Sequence, residues 1–452
     1  MSAHRPPPPP PFTAQDAAMT LDALRRAPDQ GFPARRFQVD EIQRLLGSGA
    51  APDRAKGERR LRSAVVDYAR ALHGLTIPLG ALPPAWKQRP AGYDAEAELN
   101  AALRSGTLRT WLDALPPQSP AYRTLQAAYV AAEKDPEEPT RPWVQVGPLD
   151  LDEQDARTMA LRKRLALENR ELADTDSDEP VDQGLIDALR AYQARHGLDQ
   201  TGVVDEATAE RLNTPVVSKA ARLRVNMERL RWLPRPEPAT RIDVNIASAE
   251  MAYFRNGELA AHMLAVSGKP GDETPILSSA IDSVVLNPPW YVPADIAHRE
   301  ILPKGAAYMQ ARNFVWRDGR LIQKPGPKTA LGLVKFDFPN PYAVYLHDSP
   351  SKASFGLAQR TASHGCVRLQ HAVELARILA ADEPGLSPER VDQILASGKT
   401  VRLKLDRPIS VRLLYLTAEP EDGSIVYRPD VYGWDAKLLA LLDRYQAPRR
   451  RP

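Results

Sequence analysis

The spacing of hydrophobic residues changes part-way along the chain, from the period of helices to the period of strands. Over residues 12–134 apolar side chains recur every three or four positions, which is typical of amphipathic helices, as in Leu61, Ala64, Val65, Tyr68, Ala69 and Leu72. From Arg241 onward apolar and polar residues alternate, and Asn256-Gly257 supplies a favourable hairpin turn. The pattern predicts an α+β multidomain protein whose helical part precedes a mainly β part.

Breaks in this pattern predict four segments. A disordered, proline-rich tail (residues 1–12) precedes a helical scaffold domain (13–148), a small helical domain (149–216) and a C-terminal domain (217–452). A surface junction is predicted at 135–139 and an acidic loop at 174–180. In the small domain one helix is predicted over 149–172, and Asp205 is predicted to cap the N-terminus of the last helix.

The C-terminal domain shows the strand pattern most clearly. Strands are predicted at 262–266, 284–286, 343–346, 401–405 and 411–416, which indicates a mainly antiparallel β sandwich or partial barrel. The alternation lapses over about 288–339, where helices are predicted at 294–302 and 305–312. This helical insertion is expected to cap a site, and a rigid decoration is the alternative interpretation.

Composition narrows the function classes only slightly. Hydrophobic residues make up 43% and charged residues 26%, as in ordinary globular proteins, and the net charge of +3 suits an anionic polymer without indicating nucleic acid. No apolar run is long enough to span a bilayer. Prolines at positions 6–11 directly follow the first basic residue, so no secretory signal is predicted in this sequence.

The chain has one cysteine, Cys366, and this excludes an internal disulfide. His347, His364 and His371 are close to it in sequence. A nucleophilic thiolate needs a nearby proton acceptor, and His347 ends a predicted strand that could present its imidazole to Cys366. A buried, inert cysteine is one alternative. A metal site built from Cys366 and the histidines is the other, although these residues lack the paired spacing of zinc sites.

Several motifs resemble one enzyme family. His347, followed by Ser363-His364-Gly365-Cys366-Val367-Arg368, is similar to the signature of the L,D-transpeptidase (YkuD) family. The segments 226–234, 287–293, 324–327, 335–341 and 345–348 resemble its large, YcbB-like periplasmic branch, and the likeness extends from about residue 61 to 434. The segment 188–213 resembles a small three-helix peptidoglycan-binding domain.

The resemblance implies a fold and a reaction. The fold would be a helical scaffold, a peptidoglycan-binding-like helical domain and a mainly β YkuD-type catalytic domain with a helical capping insertion. Such enzymes join peptidoglycan stem peptides: a tetrapeptide donor acylates the cysteine, and a diaminopimelate side chain of a second stem resolves the thioester, giving a 3→3 crosslink. An L,D-carboxypeptidase that uses the same thioester, and a wall-binding scaffold with an idle catalytic domain, are the alternatives.

The resemblance also implies partners and a location. Carbapenems would acylate the cysteine, other wall-synthesis proteins are candidate partners, and no metal or organic cofactor is implied. The location would be periplasmic, with the signal or anchor absent from this sequence.

Individual roles follow for the site residues. Cys366 is expected to be the nucleophile and His347 the base, whose imidazolium would also lower the thiol pKa. The main-chain N–H groups of Gly365 and Cys366 are expected to form the oxyanion hole. Loop support is expected from Ser363, His364 and Asp348, and substrate binding from Arg368, Tyr345 and Trp290. Arg368 could instead pair with a nearby acid, and the two aromatic residues could instead pack in a core.

Overall fold

The computed structural model describes residues 8–86, 92–134, 144–166, 179–196, 198–213, 217–326, 328–357, 359–421 and 423–447 of the 452-residue chain. Most of the predicted tail, the junction at 135–139 and most of the acidic loop lie outside these ranges. Among the described helices, none combines the length and the apolar composition needed to cross a membrane.

The first part of the chain is helical, as the apolar spacing predicts. Thr13 begins the first helix with a capping box, because its hydroxyl accepts from the Asp16 N–H and the Asp16 carboxylate accepts from the Thr13 N–H. The helices are α1 (Ala14–Arg25), α2 (Val39–Leu46), α3 (Ala51–Leu72), α4 (Ala95–Ser105), α5 (Leu108–Ala114) and α6 (Pro120–Lys134). The predicted apolar face of α3 is buried in their shared core.

The small domain has a shorter first helix than the spacing predicts. Asp152 has a positive φ of 63° and its N–H donates to the carbonyl of Val181, so residues before α7 (Thr158–Ala166) form turns. Residues 167–178 are outside the described part. Helices α8 (Gln183–Arg195) and α9 (Glu206–Asn213) follow, and the Asp205 carboxylate accepts from the Thr208 N–H at 2.7 Å, as predicted. His196 caps the C-terminus of α8.

The C-terminal part is built around strands. After α10 (Lys219–Arg231) the strands are β1 (Arg241–Asn245), β2 (Glu250–Arg255), β3 (Glu258–Gly268), β4 (Leu277–Leu286), β5 (Trp290–Tyr291), β6 (Phe314–Arg317), β7 (Arg320–Gln323), β8 (Val334–Asp337), β9 (Leu346–His347), β10 (Thr361–Ser363), β11 (Val367–Leu369), β12 (Val401–Leu414), β13 (Ala418–Glu421) and β14 (Ser424–Tyr427). The helices among them are α11 (Ala294–Ile296), α12 (Gly305–Ala311), α13 (Ala372–Asp382), α14 (Pro388–Ser397) and α15 (Trp434–Gln446).

The main sheet closes into a barrel. Its hydrogen-bonded order is β3-β11-β9-β8-β4-β12-β1-β2, and β2 pairs again with β3, while β10 lies outside this ring on β3. The prediction of a mainly antiparallel sheet is confirmed, because most neighbouring strands pair antiparallel. Three pairs are parallel: β1 with β12, β9 with β11 and β3 with β10. The strands predicted at 401–405 and 411–416 are one strand, β12, with an irregular register between Lys404 and Ile409.

The capping insertion is not purely helical, which corrects the prediction. It contains the three-stranded sheet β5-β7-β6 as well as α11, a π-helical turn at Ala297–Ile301, a 3-10 turn at Leu302–Lys304 and α12. Strands of two to four residues are too short to show alternation in the sequence. The sheet and helices enclose a small core of their own, formed by Val292, Ile296, Ala297, Ile301, Phe314 and Leu321.

The segment that follows α3 packs directly on the C-terminal part of the chain. Trp86, which follows α3, is buried against the rings of Trp232 and Trp434. The Tyr342 hydroxyl donates to the carbonyl of Pro84 at 2.6 Å, and the Ile276 N–H donates to that of Ala85 at 2.9 Å. The scaffold therefore contacts the barrel domain through this segment.

Candidate active site

Three neighbouring strands place the candidate residues on one face of the barrel sheet. His347 on β9 pairs with Lys335 on β8 and with Arg368 on β11, which gives a row of three basic residues across the sheet. Two positions along the same strands, Tyr345 and Cys366 form the next row on this face, because side chains alternate along a strand. The intervening residues Phe336, Leu346 and Val367 point the other way, into the barrel core.

The Cys366 sulfur is half-buried next to Tyr345. The main-chain N–H and the hydroxyl of Tyr345 lie close to the sulfur, and they lower the pKa of the thiol together with the charges of Lys335 and Arg368. Burial outweighs these contributions and raises the pKa of the Cys366 thiol above its ordinary value. The resting residue is therefore a protonated thiol at neutral pH.

His347 is buried and held by main-chain carbonyls. Its Nδ1 lies 2.5 Å from the carbonyl oxygen of Asp348, and since a carbonyl only accepts, Nδ1 carries the proton. The neutral ring then has its lone pair on Nε2. Burial first, and the positive charge of Arg368 second, lower the pKa of His347 to about 4. At neutral pH the imidazole is a free base.

Cys366 and His347 are diagonal neighbours on this face, because Arg368 lies opposite His347 and Cys366 precedes it by two residues. Among the described residues no hydrogen bond joins the two side chains, and Tyr345 occupies the contact with the sulfur. The expectation that an imidazolium lowers the thiol pKa is wrong for this resting state, because burial and Arg368 keep His347 neutral. The geometry suits proton transfer by a neutral base once substrate brings the groups together.

Hydrogen bonds hold the loop that precedes Cys366. The Ser363 hydroxyl donates to the carbonyl of Cys366 at 2.5 Å and accepts from the Gly365 N–H at 3.2 Å. Gly365 has a φ of +99°, a conformation that favours glycine, and its carbonyl accepts from the buried hydroxyl of Thr274 at 2.9 Å. The Gly365 N–H is therefore already engaged, which corrects its expected place in the oxyanion hole. The Cys366 N–H remains the candidate donor in the described loop.

Asp348 links His347 to the turn at 329–333. Its carboxylate accepts from the Leu333 N–H at 2.9 Å and from Lys352 Nζ at 2.7 Å, and its carbonyl accepts from His347. Gly332 passes so close that a Cβ there would lie 2.3 Å from the Asp348 carboxylate. The turn at 329–333, the base and Asp348 thus form one packed unit.

Arg368 faces the site without an acidic partner in the described part of the chain, so the alternative of a structural ion pair is wrong here. Burial lowers the pKa of its guanidinium, while the nearby Cys366 raises it. A half-buried, unpaired guanidinium is suited to bidentate binding of a carboxylate.

Two aromatic residues, Tyr345 and Trp290, lie between the Cys366 sulfur and the capping insertion (the cap). The Trp290 indole, on β5 of the capping insertion, lies close to the Tyr345 hydroxyl. Burial raises the pKa of Tyr345, so the hydroxyl keeps its proton and can donate to the sulfur. Trp290 also packs against the core of the cap, 6.3 Å from the ring of Phe314, as the core-packing alternative predicts. Its role in substrate binding stays a prediction.

The other two histidines close to Cys366 in sequence, His364 and His371, lie elsewhere. His364 Nε2 lies 2.6 Å from Glu300 Oε1 of the capping insertion. His371 is exposed at the N-terminus of α13. In the part of the chain that the structure describes, no cluster of His, Cys, Asp and Glu side chains could hold a metal ion.

Three residues at the site were missed from the sequence. Lys335 could have been found, because the alternation Lys335-Phe336-Asp337-Phe338 places it on the face of His347 once the strands are paired. Its Nζ lies 4.1 Å from the centroid of the Tyr345 ring and 2.7 Å from Asp337. Thr274 and Glu300 carry no comparable sequence signal, since each reaches the loop from a distant segment.

Family models match three parts of the chain. They are described as "L,D-transpeptidase catalytic domain" (YkuD) over residues 239–399, "Scaffold domain" over 12–128 and "Putative peptidoglycan binding domain" over 158–212. The first match contains Cys366, His347 and the loop described above. The chain carries a YkuD-family L,D-transpeptidase catalytic domain.

Similar proteins have the same description. A curated Haemophilus influenzae protein named "Putative L,D-transpeptidase" is 32% identical over 240 residues, which covers 48% of either chain, so this chain spans about half the length of that relative. Solved structures include the catalytic domain of an Enterococcus faecium L,D-transpeptidase acylated by ertapenem (17% identity, 39% of this chain and 98% of that one, TM-score 0.23) and an L,D-transpeptidase from Mycobacterium smegmatis (18%, 38% and 58%, TM-score 0.21).

The pH dependence of acylation should reveal the neutral base of the L,D-transpeptidase domain. Because the pKa of His347 is about 4, the acylation rate is expected to stay flat from pH 8 through 6.5 and to fall only below about pH 5. The measurement is the rate of adduct formation with a carbapenem by stopped-flow fluorescence. Acid also favours unfolding, since an unfolded histidine binds its proton near pH 6.5, so circular dichroism at each pH is the control. An inflection near pH 6.5 in folded protein would contradict the assignment.

Arg368 provides a separate test of carboxylate binding in the same domain. Arg368→Met is expected to lower kcat/KM for a carboxylate-bearing donor peptide by about 10- to 100-fold, the usual cost of a lost hydrogen bond to a charged group. Arg368→Lys should recover part of the loss, because it keeps the charge but not the planar fork. Equal kcat/KM for the Met variant and the wild-type protein would exclude this role.

Proposed function

We propose that this chain is a cysteine-dependent L,D-transpeptidase that forms 3→3 crosslinks between peptidoglycan stem peptides. The observation that carries the proposal is the half-buried Cys366 thiol, held by Tyr345 on the same sheet face as a neutral His347 and an unpaired Arg368. A protonated nucleophile beside a neutral base is the arrangement needed for acyl transfer. The family of the catalytic domain supplies the substrate class.

In the first half-reaction His347 Nε2 takes the Cys366 proton as the sulfur attacks the carbonyl of the donor's third residue. The carbonyl oxygen becomes an oxyanion, which the Cys366 N–H stabilises. The C–N bond then breaks, the D-alanine amine leaves with the proton from His347, and a thioester remains on Cys366.

In the second half-reaction an amine of a diaminopimelate side chain attacks the thioester carbonyl. His347 accepts the amine proton, the C–S bond breaks, and the sulfur regains a proton. Arg368 binds a stem carboxylate and so fixes the peptide with its carbonyl over the sulfur. A location in the cell wall compartment, and acylation of Cys366 by carbapenems, belong to the same proposal.

Purified protein incubated with tetrapeptide muropeptides tests the proposal. Separation of the products by mass should show crosslinked dimers accompanied by released D-alanine. Tripeptide monomers without dimers would instead assign an L,D-carboxypeptidase, because water would then resolve the thioester. No product and no mass gain with meropenem, while the protein still binds wall sacculi, would leave only a wall-binding scaffold.

A further inference from the structure

One side-chain contact joins the catalytic loop to the cap. His364 Nε2 lies 2.6 Å from Glu300 Oε1, although the two residues are 64 positions apart. An ionised carboxylate only accepts hydrogen bonds, so Nε2 must carry the proton that it donates. Both side chains are only partly exposed, at 26% and 36%, so the bond is shielded from competing water on one side.

Glu300 lies in an unusual segment of the cap. The turn Ala297–Ile301 is π-helical, and such turns are rare and often occur at functional sites. Ala297 and Ile301 are buried in the cap core, so the turn is fixed while Glu300 projects toward the catalytic loop. The preceding residue, Arg299, instead pairs with Asp295 at 3.2 Å on the exposed surface. In the described part of the chain Glu300 has no other ion pair.

The cap contacts the nucleophile's surroundings at a second point. Trp290 lies close to the Tyr345 hydroxyl, and Tyr345 in turn lies next to the Cys366 sulfur. The cap therefore meets the surroundings of Cys366 at two points. Trp290 lies beside Tyr345, and Glu300 contacts His364 in the loop that precedes Cys366. Since Ser363 and Gly365 tie that loop to Cys366, a shift of His364 would be transmitted to the Cys366 N–H.

We propose that Glu300 is a positioning residue, which orients His364 and holds the cap over Cys366. The proposal rests on the function proposed above. The bond fixes the loop that presents the Cys366 N–H to the oxyanion, and the closed cap limits access of water to the thioester. The acceptor amine, rather than water, then resolves the intermediate.

Glu300→Ala tests this inference on the full chain. The variant is expected to acylate with meropenem about tenfold more slowly, the usual effect of losing one hydrogen bond to a charged group. Its meropenem adduct should hydrolyse several-fold faster, and its muropeptide products should shift from dimers toward tripeptides. Glu300→Gln should stay close to wild type, because the amide oxygen still accepts from His364 Nε2. Arg299→Ala, on the same turn, is the matched control and should change none of these quantities.

A double-mutant cycle separates positioning from general damage to the fold. If Glu300 acts through His364, the Glu300→Ala/His364→Ala variant should be no slower than the slower single variant, and thermal melts should agree for Glu300→Gln and wild type. Additive losses, a Gln variant that behaves like Ala, or an unchanged ratio of dimers to tripeptides in Glu300→Ala would overturn the inference. If the wild-type protein itself neither acylates nor forms products, the proposed function fails instead.

Discussion

Cys366→Ala is expected to abolish crosslinking, with dimer formation at least about 10³-fold slower than in the wild-type protein. The chain has no second cysteine to replace the nucleophile, and losing a catalytic nucleophile in a comparable acyl-transfer site costs about 10⁶-fold in kcat. Tyr345 and His347 cannot form the thioester that divides the amide exchange into two steps. The measurement is the initial rate of dimer formation from tetrapeptide muropeptides, followed by mass spectrometry.

The fold should survive this substitution. Cys366 is half-buried, and removing one sulfur atom at such a position is expected to change stability by no more than about 1 kcal/mol. Circular dichroism melts of the wild type, Cys366→Ala and Cys366→Ser provide the control, and the serine variant also keeps the approximate side-chain shape. Dimer formation near the wild-type rate in a folded Cys366→Ala variant would end the assignment of the nucleophile.

His347→Asn should have the second largest effect, slowing acylation by about 10²- to 10⁴-fold at pH 7, the range for loss of a general base. Asparagine can still donate to the Asp348 carbonyl, as His347 Nδ1 does, but it cannot take a proton. The substitution therefore removes the chemistry and keeps the local hydrogen bond. Stopped-flow acylation with meropenem gives the rate, and His347→Ala shows what is lost when the hydrogen bond goes too.

The pH profile of His347→Asn makes the test sharper. Without the base, only the thiolate reacts, and the pKa of the Cys366 thiol lies above its ordinary value. The rate of the variant should therefore rise steadily from pH 6 to 9, whereas the wild-type rate should be flat. A variant with the wild-type rate and the flat profile would show that the base is another residue.

The sequence predicts where the central residues lie better than it predicts their pKa values. Alternation correctly places Tyr345 and His347 on one face, with ring centroids 5.6 Å apart, although Tyr345 lies just before the short strand β9. Alternation cannot show that Arg368 lies opposite His347 on the neighbouring strand, because the register of β11 against β9 depends on contacts between segments far apart in the sequence. Burial is the larger cause of the lowered pKa of His347, and the charge of the paired Arg368 adds to it.

The fold predictions were wrong where the local backbone conformation, or contacts between segments far apart in the sequence, determine the structure. Ala343 has a φ of +55°, so the strand predicted to start there begins only at Leu346. The cap strands are too short to produce a period. Nothing in the helical pattern distinguishes Glu300 from other acidic residues. Its contact with His364 depends on how the capping insertion packs. The apolar spacing did predict the scaffold helices, because α1 to α5 each bury one face in a shared core and α6 buries its face in a neighbouring one.

Direct observation of the acyl-enzyme is the most decisive experiment. Wild-type protein mixed with a tetrapeptide donor and quenched in acid should gain the mass of the donor minus D-alanine. After tryptic digestion the adduct should lie on the peptide from Thr361 to Arg368, with fragment masses that place it on the Cys366 sulfur, and hydroxylamine should remove it. An adduct on any other residue, or crosslinking without any adduct on this peptide, would contradict the account.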